Sequence, residues 1–406
     1  MRLKGNLLGQ ILLAFLLAIV LGLIFGSSID VLKPLGDLFL RLIKFIIAPL
    51  VLATLVVGVA STGDPKQLGR IGVKTLIYYM ATTAIAIIIG LAIALMIAPG
   101  KGVDISVPSS TEAVETDKQE SVIDTFLSIV PENPFSALAE GNILQIIFFA
   151  IFIGLAITFV GKKAEPVYRF FEGFAEVMYI ITGIIMKFAP IGILGLVAPI
   201  IGEYGPSVLM PLLKVIIAVA VACLVHAILV YSLAVKSFAK MSPRQFFKGI
   251  SPAALVAFST ASSAGTLPVT LKNTQENLGV SNKISSFVLP LGATINMDGT
   301  AIYQGVAVVF IAQFFGMDLS AMQLITVVLT TVLASIGTAG VPGAGLIMLT
   351  MVLSSINIPL EGIALIAGID RVLDMFRTTI NIVGDASAAV VIAGTEGELD
   401  KNKLHN

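Results

Sequence analysis

The sequence has few of the residues that build disulfides and metal centres. It contains one cysteine and two histidines among 406 residues. Because Cys223 stands alone, an intrachain disulfide framework and a thiolate metal site are both excluded. His226 lies in an apolar run and His405 near the end of the sequence, and a lone histidine of this kind is more often a packed, hydrogen-bonded residue than a ligand.

Charge is scarce as well. Charged residues are 12% of the chain, whereas a soluble domain has roughly a quarter. The net charge is zero, and no basic patch favours nucleic acid as a partner. Hydrophobic residues make up 57% of the chain and the mean hydropathy is +1.00. This excess runs along the whole chain, so one anchor helix cannot explain it, and the sequence predicts a polytopic membrane protein.

Apolar runs of membrane-spanning length fill the first part of the chain. A spanning helix needs about 20 mostly apolar residues. The first run has the charged start of a signal peptide, but it is too long for one and lacks a cleavage site, so it is predicted as a membrane helix. Plain spans are predicted over residues 7–25, 38–60, 71–98, 143–160, 174–194 and 208–233.

Lysine and arginine mark alternate loops, and positive charge collects on the cytoplasmic side of a membrane protein. With the amino terminus inside, the acid-rich polar stretch 99–124 falls outside and is predicted to be a mobile loop. Both termini are then cytoplasmic. The loop residues that set this direction are Lys66, Arg70 and Lys74, then Lys162, Lys163 and Arg169, then Lys236, Lys240, Arg244 and Lys248.

Beyond Ser251 the apolar runs are interrupted by polar residues and glycine. A serine-rich cluster over residues 259–268 lies between arms too short to span, which favours a hairpin entering from the cytoplasm. A glycine-rich cluster over residues 335–345 favours a second hairpin, entering from outside. Non-helical backbone at membrane depth is tolerated where protein buries it or where it lines a cavity. For each cluster the alternative is a glycine or proline kink in an ordinary span.

Two further clusters carry charge at membrane depth. Residues 292–300 combine Asn296, Asp298 and Gly299 and disfavour an unbroken helix. A carboxylate such as Asp298 costs about 2.5–3.5 kcal/mol at the bilayer centre and indicates a functional site; the alternative is a structural hydrogen bond to a neighbouring helix. In the last run, spacings of four, three, four and four place five polar side chains on one helix face. They are Asp370, Asp374, Arg377, Asn381 and Asp385.

These charges indicate the class of solute. Four aspartates meet Arg377 as the one basic residue clearly on this face, since Arg371 lies one step around the helix. Carboxylates in such excess must be protonated or matched by cations, and the nearby donors are oxygens that suit a hard cation such as Na⁺. Arg377 suits a carboxylate, and Asp374 offers a counter-charge to an ammonium group. A carboxylate-binding group beside an ammonium-binding group matches an acidic amino acid. The alternative is that Asp374 and Arg377 form an ion pair that serves only packing.

The four clusters, in this order, resemble the glutamate/aspartate transporter family, the dicarboxylate/amino acid:cation symporters, in their archaeal and bacterial form. The specific motifs are Ser262-Ser263-Ala264-Gly265-Thr266, Asn296-Met297-Asp298-Gly299-Thr300, the glycine-rich hairpin, and Asp374-x-x-Arg377-Thr378-x-x-Asn381-x-x-x-Asp385. The resemblance implies an all-α fold of eight membrane helices plus two re-entrant hairpins, with inverted repeats. It also implies a homotrimer in the plasma membrane that works as an elevator-type transporter, not an enzyme.

The resemblance further divides the chain into a static scaffold and a moving transport domain. The scaffold would comprise residues 1–70 and 126–200, with an extracellular polar loop at 99–125. The transport domain would comprise the third span at 71–98, the sixth at 201–250, the first hairpin at 251–280, the broken seventh span at 281–317, the second hairpin or gate at 318–360, and the eighth span at 361–395. Residues 396–406 would form a cytoplasmic tail.

Site residues are implied in the same way. Arg377 would bind the side-chain carboxylate of the substrate and Asp374 its ammonium group. The remaining substrate contacts would come from Ser262, Ser263, Thr300, Val341, Gly345, Thr378 and Asn381. Co-transported Na⁺ would use three groups of residues: Gly292, Asn296, Asn381 and Asp385; Thr294, Ser335, Ile336 and Thr338; and Tyr79, Thr82, Thr83, Asn296, Met297 and Asp298.

The coupling ion and the substrate leave alternatives open. Tyr79-x-x-Thr82-Thr83 and the amide Gln304 favour Na⁺ over H⁺ in this resemblance. Many relatives carry an arginine where this chain has Ala261 or Met375, which leaves affinity and kinetics open. A proton-coupled glutamate or C4-dicarboxylate symporter remains the alternative. An intramembrane aspartyl protease lacks its Gly-x-Gly-Asp context, and a pure anion channel would not need so many carboxylates. Aspartate and glutamate differ by one methylene, worth only about 1–3 kcal/mol.

Overall fold

The computed structural model describes residues 7–60, 65–101, 130–335 and 344–400, and these residues are almost entirely helical. Within them the one strand-like pairing is an isolated antiparallel bridge between Val280 and Leu399. This bridge joins the start of the predicted tail to the loop after the first hairpin. The prediction of an all-α chain is therefore confirmed for the described residues.

Six α-helices lie in the described residues of the first half. Their bounds are α1 Leu7–Phe25, α2 Lys33–Ala60, α3 Pro65–Ile97, α4 Pro134–Glu140, α5 Ile143–Val160 and α6 Glu165–Tyr204. The short α4 begins after Asn133, whose side chain accepts hydrogen bonds from the backbone of Phe135 and Ser136. The predicted polar loop lies mostly outside the described residues.

The second half is broken into shorter pieces. Helix α7, Leu209–His226, continues through a π-helical turn at Ala227–Tyr231 into α8, Ser232–Phe238. The remaining helices are α9 Pro243–Thr260, α10 Ser263–Glu276, α11 Asn282–Ile295, α12 Asp298–Phe314, α13 Ala321–Ser335, α14 Ala344–Ser355 and α15 Ile363–Glu396. Two of these interruptions, at residues 261–262 and 296–297, fall in the serine-rich and Asn-Asp-Gly clusters as predicted, whereas the tip of the glycine-rich cluster lies outside the described residues.

Several helical stretches are long and apolar enough to cross a membrane. Side chains such as Leu16, Phe159 and Ile184 are more than half exposed on their outer faces, which lipid accepts but water would not. The fold is thus that of a multi-pass membrane protein. Within the described part of the chain, six such stretches occur: Leu13–Phe39, Arg70–Ile97, Gln145–Ile185, Gly205–Phe238, Asn282–Phe314 and Leu360–Glu396.

Some helices run well beyond the apolar runs that predicted them. The run at residues 174–194 lies inside α6, which is 40 residues long and contains Pro190 and Pro199. The run at residues 38–60 begins five residues into α2, which starts at Lys33. Hydropathy marks the part of a helix that suits lipid, whereas the helix itself continues as long as its backbone hydrogen bonds do.

The helices contact one another in two groups. Helices α1, α2, α5 and α6 pack mainly among themselves, while α3 and α7 to α15 form the second group around α12 and α15. Contacts between the groups include those of α15 with α1 and α6, of α13 with α5, and of α14 with α2 and α5. The division into a static scaffold and a transport domain, and the motion of one against the other, stay predictions.

Close packing of α2 on α6 depends on glycine. A Cβ atom at Gly195 would lie 2.6 Å from the backbone nitrogen of Gly36 and 2.7 Å from the carbonyl oxygen of Leu32. Both neighbours are backbone atoms and cannot turn aside. We therefore expect Gly195→Ala to force the two helices apart and to lower the free energy of unfolding by about 1–3 kcal/mol.

The same helix supplies the control for this prediction. Gly183 also lies inside α6, but a Cβ atom there meets no atom within 4 Å. Gly183→Ala should therefore stabilise the helix by roughly 0.5–1 kcal/mol. Thermal unfolding of the detergent-solubilised protein compares the two variants. Equal melting temperatures would contradict the view that Gly195 sets the distance between α2 and α6.

Candidate functional site

The break between α11 and α12 places a carboxylate inside the protein. Helix α11 ends at Ile295, Asn296 adopts an extended conformation, and α12 begins at Asp298. The first backbone N–H groups of a helix carry partial positive charge, which favours an anion at that position. Asp298 and Asn296 are both fully buried, with 0% and 1% of their surface exposed.

The first hairpin turns over two residues. Ala261 ends α9 in a left-handed conformation with φ of +48°. Ser262 then caps α10, its hydroxyl accepting a hydrogen bond of 3.1 Å from the backbone of Gly265. The two arms pack against each other, so the cluster is a helical hairpin and not a kink in one span. Arms α13 and α14 of the second hairpin are also in contact, while its tip lies outside the described residues.

Arg377 is the centre of the charged cluster on α15. Its side chain is 2% exposed, and its Nη1 lies 2.6 Å from Oδ1 of Asp370. Its Nη2 lies 2.9 Å from Oδ1 of Asp374. The guanidinium also stacks on the ring of Tyr303 at 4.3 Å, an arrangement in which the ring face attracts the cation. In this structure Arg377 is thus neutralised by two carboxylates of its own helix.

The second hairpin covers the guanidinium. A Cβ atom at Gly345 would lie 2.6 Å from Nη1 of Arg377, so only glycine allows the backbone of α14 this close. The amide of Gln304 donates to the carbonyl oxygen of Gly345 at 3.1 Å. Gly345 of the predicted gate therefore packs against Arg377, the predicted carboxylate-binding residue.

Asn381 ties α15 to the start of α12. Its Oδ1 accepts a hydrogen bond of 2.8 Å from the backbone of Gly299. Its Nδ2 lies 3.4 Å from both the hydroxyl of Thr300 and the sulfur of Met297. Farther along the stripe, the hydroxyl of Thr378 donates to Asp374 at 3.4 Å. The predicted pocket residues of these two helices therefore lie side by side.

A second carboxylate, Asp385, lies beside the broken helix. Nδ2 of Asn296 donates to Oδ1 of Asp385 and to the carbonyl oxygen of Asn381, both at 2.9 Å. A Cβ atom at Gly292 would collide with Oδ1 of Asp385 and with the hydroxyl of Tyr79. Among the described residues, Oδ1 of Asn296 is buried without a hydrogen-bond partner. An unsatisfied buried oxygen next to a carboxylate fits a site for a small cation.

Asp298 collects donors from three neighbouring helical segments. Its Oδ1 accepts from the hydroxyls of Thr83 at 2.6 Å and Thr82 at 3.3 Å. Its Oδ2 accepts from the hydroxyl of Tyr231 at 2.8 Å and lies 3.2 Å from Nε2 of His226. Helix α3 and the π-helical turn thus both point at this one carboxylate.

Neither buried carboxylate has a strong cationic partner in the described part of the chain. No lysine or arginine there forms an ion pair with Asp298 or Asp385, and His226 alone approaches Asp298. The same residues contain no cluster of three or more His, Cys, Asp or Glu of the kind that holds a transition metal. A buried charge needs a partner, and hydroxyl, amide and carbonyl oxygens around these two carboxylates are ligands for a hard cation.

Other predicted site residues form hydrogen bonds within their own helices, are buried beside the hairpin turn, or lie outside the described residues. The exposed Thr294 donates its hydroxyl to Leu291 at 2.9 Å, and the buried Ser335 donates to Val332 at 2.7 Å, so each bonds within its own helix. Ser263 is buried behind the capping Ser262. The predicted Ile336, Thr338 and Val341 lie outside the described residues.

The structure adds residues that were not among the predicted site residues. Tyr231 and His226 contact Asp298, Tyr303 stacks on Arg377, and Asp370 pairs with Arg377. The prediction that His226 is a packed, hydrogen-bonded histidine is confirmed, because it is fully buried and its Nε2 lies 3.2 Å from Oδ2 of Asp298. Only Asp370 had a signal in the sequence, namely its place in the polar stripe.

Comparison with known proteins extends over the same residues. The model of the sodium:dicarboxylate symporter family matches residues 7–395. The proton/sodium-glutamate symport protein of Geobacillus stearothermophilus is 41% identical over 92% of this chain and 89% of its own. The proton/glutamate-aspartate symporter of Escherichia coli K12 is 41% identical over 92% and 87%. The C4-dicarboxylate transport protein of Bacillus subtilis is 35% identical over 99% and 96%.

Proposed function

The chain belongs to the sodium:dicarboxylate symporter family, and we propose that it is a symporter of L-aspartate, L-glutamate or both, driven by inward movement of Na⁺. The family consists of membrane symporters, which agrees with the resemblance seen in the sequence.

The substrate class follows from the charged cluster of α15. Arg377 is buried, presents a planar fork of donors and is covered by the backbone of the second hairpin at Gly345. Such a fork binds a carboxylate through two parallel hydrogen bonds. Asp374 lies one turn away and supplies the negative charge that an ammonium group requires. This pair of opposite charges in one pocket is the single observation that carries the proposal.

Binding requires a rearrangement of the charges seen here. Asp370 holds Nη1 of Arg377 at 2.6 Å, so an incoming carboxylate shares or replaces this partner. An arginine already neutralised within the protein costs less to carry across a low-dielectric membrane than a free cation. The empty pocket therefore returns across the membrane without an unpaired guanidinium.

Cation coupling rests on Asp298 and Asp385. Both carboxylates are buried, at 0% and 2% exposure, and the oxygens around them suit Na⁺. Binding of Na⁺ beside them removes the cost of unpaired negative charge, and Asn381 connects this region to the substrate pocket through Thr300. Cation binding and substrate binding thus share the backbone break between α11 and α12.

The rest of the mechanism follows the resemblance. The group of α3 and α7 to α15 would carry the site across the membrane, the group of α1, α2, α5 and α6 would stay fixed in a homotrimer, and the second hairpin would open as the gate. The termini would face the cytoplasm.

Proton coupling and C4-dicarboxylates form the second candidate. The names of the relatives include protons as well as sodium, and one relative is a C4-dicarboxylate transport protein. A dicarboxylate would use Arg377 in the same way but would not need Asp374 as an ammonium acceptor.

Uptake by proteoliposomes separates the candidates. Labelled L-aspartate is offered with an inward Na⁺ gradient at equal pH, or with an inward H⁺ gradient in the absence of Na⁺. We expect uptake under the Na⁺ gradient alone. Uptake under the H⁺ gradient alone would contradict Na⁺ coupling, and uptake of succinate without L-aspartate would contradict the substrate.

A further inference from the structure

A second arginine reaches the substrate pocket from the edge of α15. The side chain of Arg371 is 21% exposed, whereas that of Arg377 is 2% exposed. Its Nη1 lies 3.8 Å from Oδ2 of Asp374. The other oxygen of Asp374 is already occupied by Arg377 and Thr378. Arg371 therefore faces the one oxygen of Asp374 that is left for an ammonium group.

Arg371 also joins α15 to the tip of the first hairpin. Its Nη2 donates a hydrogen bond of 2.9 Å to the carbonyl oxygen of Thr260, the last residue of α9. The final carbonyl groups of a helix lack intrahelical partners and carry partial negative charge. The guanidinium is thus fixed by a backbone acceptor at the point where Ala261 turns the chain, and it does not move freely in solvent.

The charges around the pocket sum to zero with Arg371 and to minus one without it. Asp370 and Asp374 contribute two negative charges, and Arg377 and Arg371 contribute two positive charges. An ammonium group at Oδ2 of Asp374 would share that oxygen with Arg371, and two cations around one carboxylate repel each other. A C4-dicarboxylate places no cation there, so Arg371 stays paired with Oδ2 of Asp374 and neutralises the charge that would otherwise repel the dicarboxylate.

One donor of Arg371 has no partner. Its Nε is buried and makes no hydrogen bond to any of the residues that the structure describes. A buried donor without an acceptor costs free energy, which an acceptor on a ligand recovers. An ammonium group offers no acceptor, whereas a carboxylate does.

We propose that Arg371 is a specificity-determining residue. Its guanidinium, held by the carbonyl oxygen of Thr260, weakens the binding of an ammonium group to Asp374. The pocket can therefore also accept a dicarboxylate that has no ammonium group. This inference rests on the proposed function, because it assigns Asp374 to the ammonium group of the substrate. Arg371 thereby sets the ratio between acidic amino acids and C4-dicarboxylates.

The test compares a neutral and a charged replacement in full-length protein reconstituted into proteoliposomes. Two quantities are measured: the KM for labelled L-aspartate, and the inhibition constant of succinate as a competitor. For Arg371→Gln we expect the KM for L-aspartate to fall and the inhibition constant of succinate to rise, so that their ratio changes about tenfold in favour of L-aspartate. Arg371→Lys keeps the charge and should leave the ratio within about twofold of the unchanged protein.

The ratio distinguishes specificity from damage to the fold. A variant that folds poorly has fewer active molecules and a lower maximal rate, but its KM and inhibition constant stay the same. Arg371→Met is a second neutral variant of similar length, in case the glutamine variant does not fold. Arg169→Gln removes an exposed arginine that pairs with Glu165 on the surface of α6, and serves as the control.

Two results would overturn the proposal. One is an unchanged ratio in both neutral variants while L-aspartate uptake persists. The other is an equal shift in Arg371→Lys, since charge would then not be the cause. If the unchanged protein takes up no L-aspartate under any cation gradient, the proposed function itself fails, and this outcome is distinct from the first two.

Discussion

Replacement of Arg377 by alanine is expected to lower kcat/KM for L-aspartate uptake by roughly 100- to 1000-fold. The substrate carboxylate loses a fork of two charge-assisted hydrogen bonds, each worth about 1.5–2 kcal/mol, from an arginine whose side chain is 2% exposed. Loss of the arginine also leaves Asp370 and Asp374 buried without their shared partner, and breaking a buried ion pair costs about 3–5 kcal/mol of stability. Uptake and thermal unfolding are therefore measured together.

A double variant separates transport from stability. Asp370→Asn combined with Arg377→Ala removes one negative charge along with the positive one, so most of the lost stability should return. Uptake should not return, because the carboxylate-binding fork is still missing. Recovery of L-aspartate uptake in the double variant would show that Arg377 acts only as the partner of Asp370. Arg169→Ala again controls for loss of a surface arginine.

The sequence was most informative where function and local geometry coincide. The stripe from Asp370 to Asp385 could be predicted because a helix repeats every 3.6 residues, and α15 is indeed one continuous helix over Ile363–Glu396. The break after Ile295 could be predicted because asparagine, aspartate and glycine together disfavour an unbroken helix at membrane depth. Both features depend on residues that are close together in sequence.

Long-range partners could not be predicted in this way. His226 and Asp298 are 72 residues apart in sequence. Thr83 and Asp298 are 215 residues apart, and only the family resemblance placed them in one group. Nothing in the local pattern of α7 indicates that the π-helical turn directs Tyr231 toward α12. Such contacts follow from how whole helices pack, which the hydropathy of each helix leaves open.

The direction of the Arg371 side chain could not be predicted from the sequence either. Its position on α15 is one step away from the polar stripe, so its direction was ambiguous from spacing alone. The carbonyl oxygen of Thr260 resolves the ambiguity by accepting its hydrogen bond. The role of Thr294 stays a prediction; its hydroxyl donates to the carbonyl oxygen of Leu291 within its own helix, as threonine side chains often do.

The second large effect is expected at Asp298. Asp298→Asn keeps the size of the side chain but removes a fully buried negative charge. If Na⁺ is the counter-charge, the asparagine variant should lose Na⁺-driven uptake, and its apparent affinity for Na⁺ should fall by about 100-fold, or ~2.7 kcal/mol. The variant should be at least as stable as the unchanged protein without Na⁺, because it no longer buries an unpaired carboxylate.

Stabilisation by Na⁺ measures this site without relying on uptake. A ligand that binds only the folded state raises the melting temperature as its concentration exceeds the dissociation constant. Na⁺ should therefore raise the melting temperature of the detergent-solubilised protein, and less so in Asp298→Asn. Tyr78→Phe is the matched control, because this neighbouring tyrosine of α3 bonds to Ser387 at 2.6 Å and not to Asp298.

The direction of the change identifies what neutralises Asp298. If the carboxylate is neutralised by a proton, asparagine imitates its protonated form, and the response of the melting temperature to Na⁺ should equal that of the unchanged protein. If Na⁺ neutralises it, the response shrinks, while the part that depends on Asp385 persists because that carboxylate is bound separately by Asn296. An unchanged Na⁺ response together with H⁺-driven uptake would place the coupling proton, and not a sodium ion, among Thr82, Thr83 and Tyr231.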